Sequence, residues 1–314
     1  MSVQKAQNKQ RKRFRLEDKY ILFLMALPFI LLVAVFSYGP LFGWAYAFFD
    51  YRPGIPLKAE NFTGLKWFIT MFATEVQRQE VARVMINTIA MSLLNIACSV
   101  LPVAFAVFLS EIKVTWYKKS VQILTTLPNF ISWVLVYSFA YSLFNTNNGF
   151  LNMLLSNLGL TARPINFLAD PDHMWLKMCV WHIWKTLGWS SIMYLAAIAG
   201  IDQELYEAAR IDGAGRFQLM WHITIPGIME TYFVLLLLSI ANFISNGMEQ
   251  YFVFQNPMNR NKIEVLDLYV YNIGIGGGSF SYATAVSILK SIVSLTLLFV
   301  ANSLSKLVRG NTIL

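Results

Sequence analysis

Long apolar runs, separated by short polar segments, recur along this chain. A helix needs about 20 mostly apolar residues to cross the hydrocarbon core of a bilayer. Of the 314 residues, 56% are hydrophobic and 13% are charged, whereas soluble domains carry roughly 25% charged residues. The sequence therefore predicts an all-α integral membrane protein. Six transmembrane helices are expected, at residues 20–49, 85–110, 120–144, 174–200, 227–247 and 282–304.

The distribution of basic residues predicts how these helices are oriented. Seven Lys and Arg lie within residues 1–19, directly before the first apolar run, and basic residues favour the cytoplasmic side. The segments expected in the cytoplasm hold fourteen Lys and Arg, and those expected outside hold eight. Both termini are thus expected to be cytoplasmic, with tails at 1–19 and 306–314 and an external loop at 50–84. The net charge of +8 is explained by this orientation signal, and no nucleic-acid partner is expected.

The polar segment 201–226 has the pattern of two short helices joined by a turn. Asp202 is placed to cap the first helix. The turn is expected at Gly213-Ala214-Gly215, where a positive φ is available. The spacing predicts that the second helix carries one apolar face and ends at Pro226. That face is formed by Phe217, Met220, Trp221 and Thr224. A helical hairpin of this kind is typical of a docking element.

This segment resembles the EAA loop of binding-protein-dependent ABC importer permeases. The matching residues are Glu207, Ala208, Ala209, Asp212, Gly213, Ala214, Ile223 and Pro226, with Ile225 where leucine is usual. The resemblance implies a type I ABC importer permease fold, with a transmembrane domain at 85–305 and a cytoplasmic coupling loop at 201–226. In that family the loop sits in a groove of a separate ATPase subunit. The residues expected to couple to the ATPase are Glu207, Ala208, Ala209, Asp212, Gly213, Ala214, Arg216, Phe217 and Pro226.

No motif for catalysis is found in the sequence. It has no Gly-x4-Gly-Lys-Ser/Thr loop for nucleotide phosphates. Its three histidines, His173, His182 and His222, are too far apart in the expected topology to form one metal site. The chain is therefore expected to be a transport subunit without a cofactor or a metal of its own. The resemblance places ATP and Mg²⁺ on a partner ATPase.

Polar side chains inside the expected spans indicate a substrate path, because such groups are costly in lipid and tend to face an interior. Two stripes at helical spacing supply the candidates. The fourth span carries Trp181, Trp184, Lys185 and Trp189, and the fifth carries Asn242, Ser245, Asn246 and Glu249. Tryptophan rings beside amide and carboxylate groups suit a sugar. The alternative is that these groups mediate helix–helix contacts or mark a membrane interface.

Lys185 leaves the charge of the substrate open. Its ammonium is placed to hold an acidic sugar such as a uronate oligomer. It is equally placed to neutralise Glu249 or to line a wet cavity, which fits a neutral sugar. The neutral alternative is favoured slightly, because one lysine beside one carboxylate leaves no surplus of positive charge.

Beyond the loop, the chain resembles the sugar permeases of the maltose-permease type, in particular those associated with lipoproteins that handle oligosaccharides and polysaccharide fragments. The segments that carry this resemblance are 61–66, 127–129, 188–202 and the coupling loop. It implies a multi-pass protein of the bacterial plasma membrane that imports an oligosaccharide. The implied partners are a second homologous permease, two ATPase subunits and an extracytoplasmic sugar-binding protein, in addition to the lipid bilayer.

Two other functions remain open. An ion-coupled secondary transporter of sugars would need neither an ATPase nor a docking loop. A membrane-embedded glycan-processing enzyme would need an acid or nucleophile with a partner, and Glu249 has no evident one in the sequence.

Overall fold

The computed structural model describes residues 18–161 and 163–309, which are mostly helical and contain no β-strand. The chain divides into two compact units, Met1–Tyr46 and Ala47–Leu314. Most of the basic tail expected at 1–19, and residues 310–314 of the C-terminal tail, lie outside the described residues.

The described residues of the first unit, 18–46, lie in one helical run. It begins with α1 (Asp18–Val33) and continues as a π-helical turn (Ala34–Tyr38) and a 3₁₀-helix (Gly39–Phe48). Pro40 has no backbone N–H, so an α-helical bond is lost at the point where the run changes to 3₁₀ geometry. Over Lys19–Phe48 the run has 30 residues and is apolar enough to cross a membrane.

Three helices open the second unit: α2 (Lys66–Ala73), α3 (Glu75–Ala97) and α4 (Val100–Ser110). The side chain of Thr74 caps α3, because it accepts a hydrogen bond of 3.3 Å from the backbone N–H of Gln77. Together α3 and α4 form a second apolar run of 36 residues. The segment 50–84, expected as a loop, therefore contains α2 and the start of α3.

The third expected span is bent. Helix α5 (Thr115–Thr126) passes through a 3₁₀ turn (Leu127–Phe130) and is followed by α6 (Trp133–Phe144) at an angle of 105°. Pro128 lies in the 3₁₀ turn, and the side chain of Ser132 caps α6 by accepting a hydrogen bond from the N–H of Leu135 at 3.4 Å. Residues 120–144 are thus a bent pair of helices rather than one continuous helix.

Helix α7 (Phe150–Asn157) precedes the long helix α8 (Met174–Ala199), which lies at the centre of the bundle and packs against α3, α4 and α5. Gly188 allows this packing, since a Cβ there would lie 2.3 Å from the carbonyl carbon of Thr125 in α5. With 26 residues α8 is long enough to cross a membrane, but it is not among the helical runs that are also apolar enough to do so.

The coupling loop forms two short helices, α9 (Gln203–Ile211) and α10 (Arg216–Leu219). A π-helical turn (Met220–Thr224) then leads into α11 (Ile225–Ala241). By length and composition, four helical runs within the described ranges can cross a membrane, or five if the bent pair counts as one. The count of six spans therefore stays a prediction.

The last part of the unit contains three short helices and one long one: α12 (Glu249–Phe254), α13 (Arg260–Ile263), α14 (Leu266–Tyr271) and α15 (Phe280–Arg309). The fully buried carboxylate of Glu264 accepts hydrogen bonds from Arg83 at 2.9 Å, Arg260 at 3.3 Å and the amide of Asn272 at 2.8 Å. A buried charge needs such partners. This network ties the start of α3 to the segment that precedes α15.

Candidate functional site

The turn of the coupling loop is fixed by local hydrogen bonds. The carboxylate of Asp202 accepts a bond from the N–H of Glu204 at 3.0 Å and caps α9, as predicted. Gly213 has a φ of +84°. Its N–H donates to the carbonyl of Arg210 at 3.1 Å, and the N–H of Ala214 donates to Ala209 at 2.9 Å. These two bonds form a Schellman motif, which ends α9 and depends on the left-handed backbone at Gly213.

Buried contacts hold the loop against the helical bundle. The hydroxyls of Tyr206 and Thr224 lie 3.0 Å apart in the interior. Met220 and Ile228 are buried beside Val107 of α4. Tyr206 joins α9 to the π-helical turn, and Met220 and Ile228 join the turn and α11 to α4. The loop is therefore packed directly against these two helices.

Four large apolar side chains of the loop are exposed among charged ones. Leu205, Ile211, Phe217 and Trp221 are exposed by 54%, 86%, 78% and 70%, and we refer to them as the coupling surface. Glu207, Ala208, Asp212, Gly213, Arg216 and Pro226 are also exposed, and Ala209 and Ala214 are half-buried. Large apolar side chains exposed together mark an interaction site. The candidate coupling residues thus occupy an accessible surface.

One detail predicted for the second helix is wrong. Phe217, Met220, Trp221 and Thr224 were expected on one face, but Phe217 and Trp221 are exposed while Met220 and Thr224 are buried. The cause is the π-helical turn Met220–Thr224. Its wider spacing shifts the register by about one residue relative to an α-helix.

A polar cavity of about 530 Å³ lies among α3, α4, α8 and α11. Its lining mixes hydroxyl and amide groups with apolar side chains, among them Trp189, and we refer to it as the polar cavity because it is the more polar of the two cavities described here. These polar groups belong to Ser92, Asn95, Ser99, Thr186, Ser190, Ser239, Asn242, Ser245 and Asn246. Within the described part of the chain, no carboxylate, ammonium or guanidinium group lines the cavity. The lining suits an uncharged ligand rich in hydroxyl groups.

The predicted amide stripe reaches this cavity by a different route. A continuous helix through Glu249 is wrong, because α11 ends at Ala241 and Asn242 caps it. The amide of Asn242 donates to the carbonyl of Leu238 at 3.0 Å. Residues 242–248 are not helical, yet Asn242, Ser245 and Asn246 still line the polar cavity. Glu249 begins α12, is exposed, and is not part of the lining.

The predicted aromatic stripe of α8 is divided between two cavities. Trp189 lines the polar cavity, and its ring meets the ring of Phe130 edge-on, with the two ring centroids 5.6 Å apart. Trp181 and Trp184 line a second, largely apolar cavity of about 430 Å³. There the ring of Trp184 stacks on that of Phe139, with the two ring centroids 6.0 Å apart. Of the aromatic stripe, only Trp189 therefore shares a cavity with Asn242, Ser245 and Asn246.

Lys185 is buried and lies at the α5–α6 bend. Its ammonium donates to the carbonyl oxygens of Pro128 at 3.1 Å and Asn129 at 2.7 Å. These carbonyls belong to the 3₁₀ turn between the helices, where α-helical partners are missing. This geometry gives Lys185 a structural role at the bend.

Sequence reasoning missed several residues of the polar cavity. On α8 these are His182, Thr186 and Ser190, spaced by four residues along one face. On α3 and just beyond it they are Ser92, Asn95 and Ser99, spaced by three and four. Both sets follow helical periodicity, so a search for weak hydroxyl and amide stripes could have found them.

A helical bundle that combines a polar cavity with an exposed apolar loop has the organisation of a membrane transport subunit. Residues 99–310 match the family described as binding-protein-dependent transport system inner membrane component, and the chain belongs to this family. It is thus a permease component of the inner membrane and not an enzyme.

Two relatives from Bacillus subtilis (strain 168) match most of the chain. Protein LplB is 38% identical over 290 residues, which are 92% of this chain and 89% of LplB. YteP, a polygalacturonan/rhamnogalacturonan transport system permease protein, is 39% identical over 303 residues, 95% of this chain and 92% of YteP. Because these two alignments cover more than nine-tenths of the chain, they also include residues before position 99, where the family match begins.

Solved structures give the same fold. One match is a chain from the crystal structure of a bacterial ABC transporter involved in the import of the acidic polysaccharide alginate. Its TM-score is 0.82 and its sequence identity is 31%, and the match covers 93% of this chain and 97% of that chain. A second match is a chain of a bacterial alginate ABC transporter in complex with an alginate pentasaccharide-bound periplasmic protein. Its TM-score is 0.83 and its sequence identity is 30%, and the match covers 94% of this chain and 97% of that chain. The chain therefore has the type I ABC importer permease fold.

Proposed function

We propose that this chain is the membrane-spanning subunit of an ATP-driven importer of oligosaccharides. Its partners would be a second homologous permease, two ATPase subunits that carry ATP and Mg²⁺, and an extracytoplasmic sugar-binding protein. The observation that carries the proposal is the polar cavity, whose hydroxyl and amide groups lie beside Trp189. Amides bond sugar hydroxyls, and an indole ring stacks on the apolar face of a pyranose.

The position of Lys185 bears on the charge of the sugar. Its ammonium is committed to two carbonyl groups at the α5–α6 bend and does not line the polar cavity. We propose that the sugar contacts made by this chain are uncharged. The carboxylates of an acidic oligosaccharide would then meet other subunits or stay hydrated.

Alternating access is the mechanism that this arrangement supports. Closure of the ATPase dimer would displace the coupling surface. The Tyr206–Thr224 contact and the packing of Met220 would pass this displacement to α11 and α4, which border the polar cavity. Such closure exchanges two packed arrangements of the helices and exposes the cavity to one side at a time.

Purification with the neighbouring subunits tests the proposal. We expect the two ATPases and the second permease to co-purify with this chain. In proteoliposomes, uptake of radiolabelled trigalacturonate or maltotriose should require both ATP and the binding protein. Uptake driven by an ion gradient without ATP would instead identify a secondary transporter.

A topology prediction follows from the six proposed spans. In a chain without Cys98 and Cys179, Gly215→Cys is expected to react with a membrane-impermeant thiol reagent only in inside-out vesicles. Asn148→Cys should react from the outside of intact cells. Both positions are exposed, so a missing reaction would not result from burial. Labelling of position 215 from outside would contradict both the cytoplasmic placement of the coupling loop and its role.

Substitutions on α8 test which cavity takes the sugar. Trp189→Leu is expected to weaken sugar uptake several-fold, since leucine lacks the flat apolar ring face on which a pyranose can stack. Asn242→Leu should act in the same direction. Trp184→Leu, on the same helix but in the apolar cavity, is the matched control and should retain most uptake. The reverse order of the two tryptophan variants would place the path in the apolar cavity.

A further inference from the structure

Within the non-helical segment 242–247, Asn242, Phe243, Ser245 and Asn246 line the polar cavity. The main chain of this segment lacks the regular bonds of a helix, so its position depends on contacts with other elements. The hydroxyl of Ser92 in α3 bonds the carbonyl of Phe243 and the amide oxygen of Asn246, the latter at 2.9 Å. The amide nitrogen of Asn246 reaches the carbonyl of Thr88 at 3.5 Å. These contacts hold one side of the segment.

The other side is held by a carboxylate. The backbone N–H of Gly247 donates a hydrogen bond of 2.8 Å to Oδ2 of Asp267 in α14. Gly247 has a φ of +72°, a left-handed backbone conformation that glycine adopts without strain. A hydrogen bond to an ionised carboxylate is roughly twice as strong as a neutral one. Asp267 is therefore a fixed anchor at the end of the segment.

The second oxygen of the same carboxylate is also engaged. Oδ1 of Asp267 pairs with the ammonium of Lys290 in α15, and both side chains are 19% exposed. An ammonium inside a membrane helix is costly and needs a partner. Asp267 is thus shared between a helix of the bundle and the segment that borders the polar cavity.

From this geometry we infer that the side-chain acceptor oxygen of Asp267 positions the segment 242–247 and so sets the placement of Asn242, Ser245 and Asn246 in the polar cavity. Asp267 is a positioning residue, and neither Asp267 nor Lys290 lines the cavity. Lys290 neutralises the carboxylate through Oδ1, which a neutral side chain at position 267 would not need, and Oδ2 accepts from Gly247. The consequence for sugar transport rests on the proposed function, whereas the positioning itself does not.

The competing explanation is that the ion pair only fastens α14 to α15. The two explanations differ in the role of the oxygen that accepts from Gly247. An Asp267→Asn/Lys290→Met variant removes both charges and keeps an acceptor oxygen. A charge-reversed variant, Asp267→Lys/Lys290→Asp, restores an ion pair, but a lysine at 267 cannot accept a hydrogen bond. The pair of variants therefore separates the acceptor from the ion pair.

The segment can be observed directly with a nitroxide spin label at Ser245→Cys, in the assembled transporter without Cys98 and Cys179. We expect the label to be immobilised in the parent and in the Asn/Met variant. In the charge-reversed variant it should become several-fold more mobile. A label at Ser190→Cys, which lines the same cavity from α8, should have the same mobility in all three proteins. Asp267→Leu/Lys290→Met, which removes acceptor and charges together, should mobilise position 245 as well if the charge-reversed chain does not assemble.

Equal mobility at position 245 in every variant would overturn the inference. The inference would also be overturned if the label stayed immobile in the charge-reversed variant but became mobile in the Asn/Met variant. In that case the ion pair alone would hold the segment. The sugar transported per ATP hydrolysed, measured with trigalacturonate and maltotriose, is recorded separately. A mobile label with an unchanged ratio supports the positioning role and counts against the polar cavity as the sugar path.

Discussion

A transporter that carries Gly213→Val is expected to insert and assemble but to import almost no sugar. Gly213 has a φ of +84°, and a residue with a Cβ in the left-handed region costs about 1–2 kcal/mol, more when it is β-branched. Valine would therefore disrupt the Schellman bonds that close α9. The turn separates Ile211 from Phe217, so both halves of the coupling surface would lose their relative placement.

The measurements are ATP hydrolysis stimulated by the sugar-loaded binding protein, and uptake in proteoliposomes. Gly215→Ala is the matched control, since Gly215 has an ordinary φ of −77° and an added Cβ would lie 3.7 Å from the nearest atom, Oε1 of Gln218. This control should transport nearly normally. Glu207→Ala should impair coupling more weakly than Gly213→Val. Normal stimulated hydrolysis in the Gly213→Val transporter would contradict the coupling role of the turn.

The largest loss of folded protein is expected from Gly188→Ala. The added Cβ would lie 2.3 Å from the carbonyl carbon and oxygen of Thr125 and 2.7 Å from the nitrogen of Thr126. These are backbone atoms, so α5 and α8 must separate. Overpacking a well-packed interior typically costs about 1–3 kcal/mol, and a shift of two main chains should reach the upper end.

The expected result is a strongly reduced yield of monodisperse permease after detergent extraction, with a lower melting temperature for the remainder. Gly200→Ala at the end of the same helix is the comparison, because its Cβ would meet the carbonyl of Ala197 only at 3.4 Å. If the Gly188→Ala protein were as abundant and as heat-stable as the Gly200→Ala protein, the contact between α5 and α8 would be looser than described.

The coupling loop could be predicted in detail because its bonds are local. Asp202 caps a residue two positions away, and the bonds from Gly213 and Ala214 reach back three and five residues. Periodicity failed only at the π-helical turn, where one extra residue changes the spacing and no side chain signals it.

The polar cavity was predicted only in part because its walls depend on distant contacts. Asn242, Ser245 and Asn246 were identified from their polarity inside an apolar run. The end of α11 at Ala241 was missed, since the segment that follows is held by Ser92, about 150 positions earlier, and by Asp267. The same limit applies to Glu264, whose partner Arg83 lies 181 positions away. Propensity and periodicity carry no information about such pairings.

The coupling surface also affects the subunit before it assembles. Ile211, Phe217 and Trp221 are each exposed by 70% or more on a loop that the proposed topology places in the cytoplasm. Apolar surface of this kind promotes aggregation and is recognised by chaperones and proteases when no partner covers it. Orphan copies of the permease would therefore be short-lived, and ATPase binding would protect them. The amount of permease in the membrane would then follow the supply of its ATPase partners, so quality control would help to balance the subunit stoichiometry.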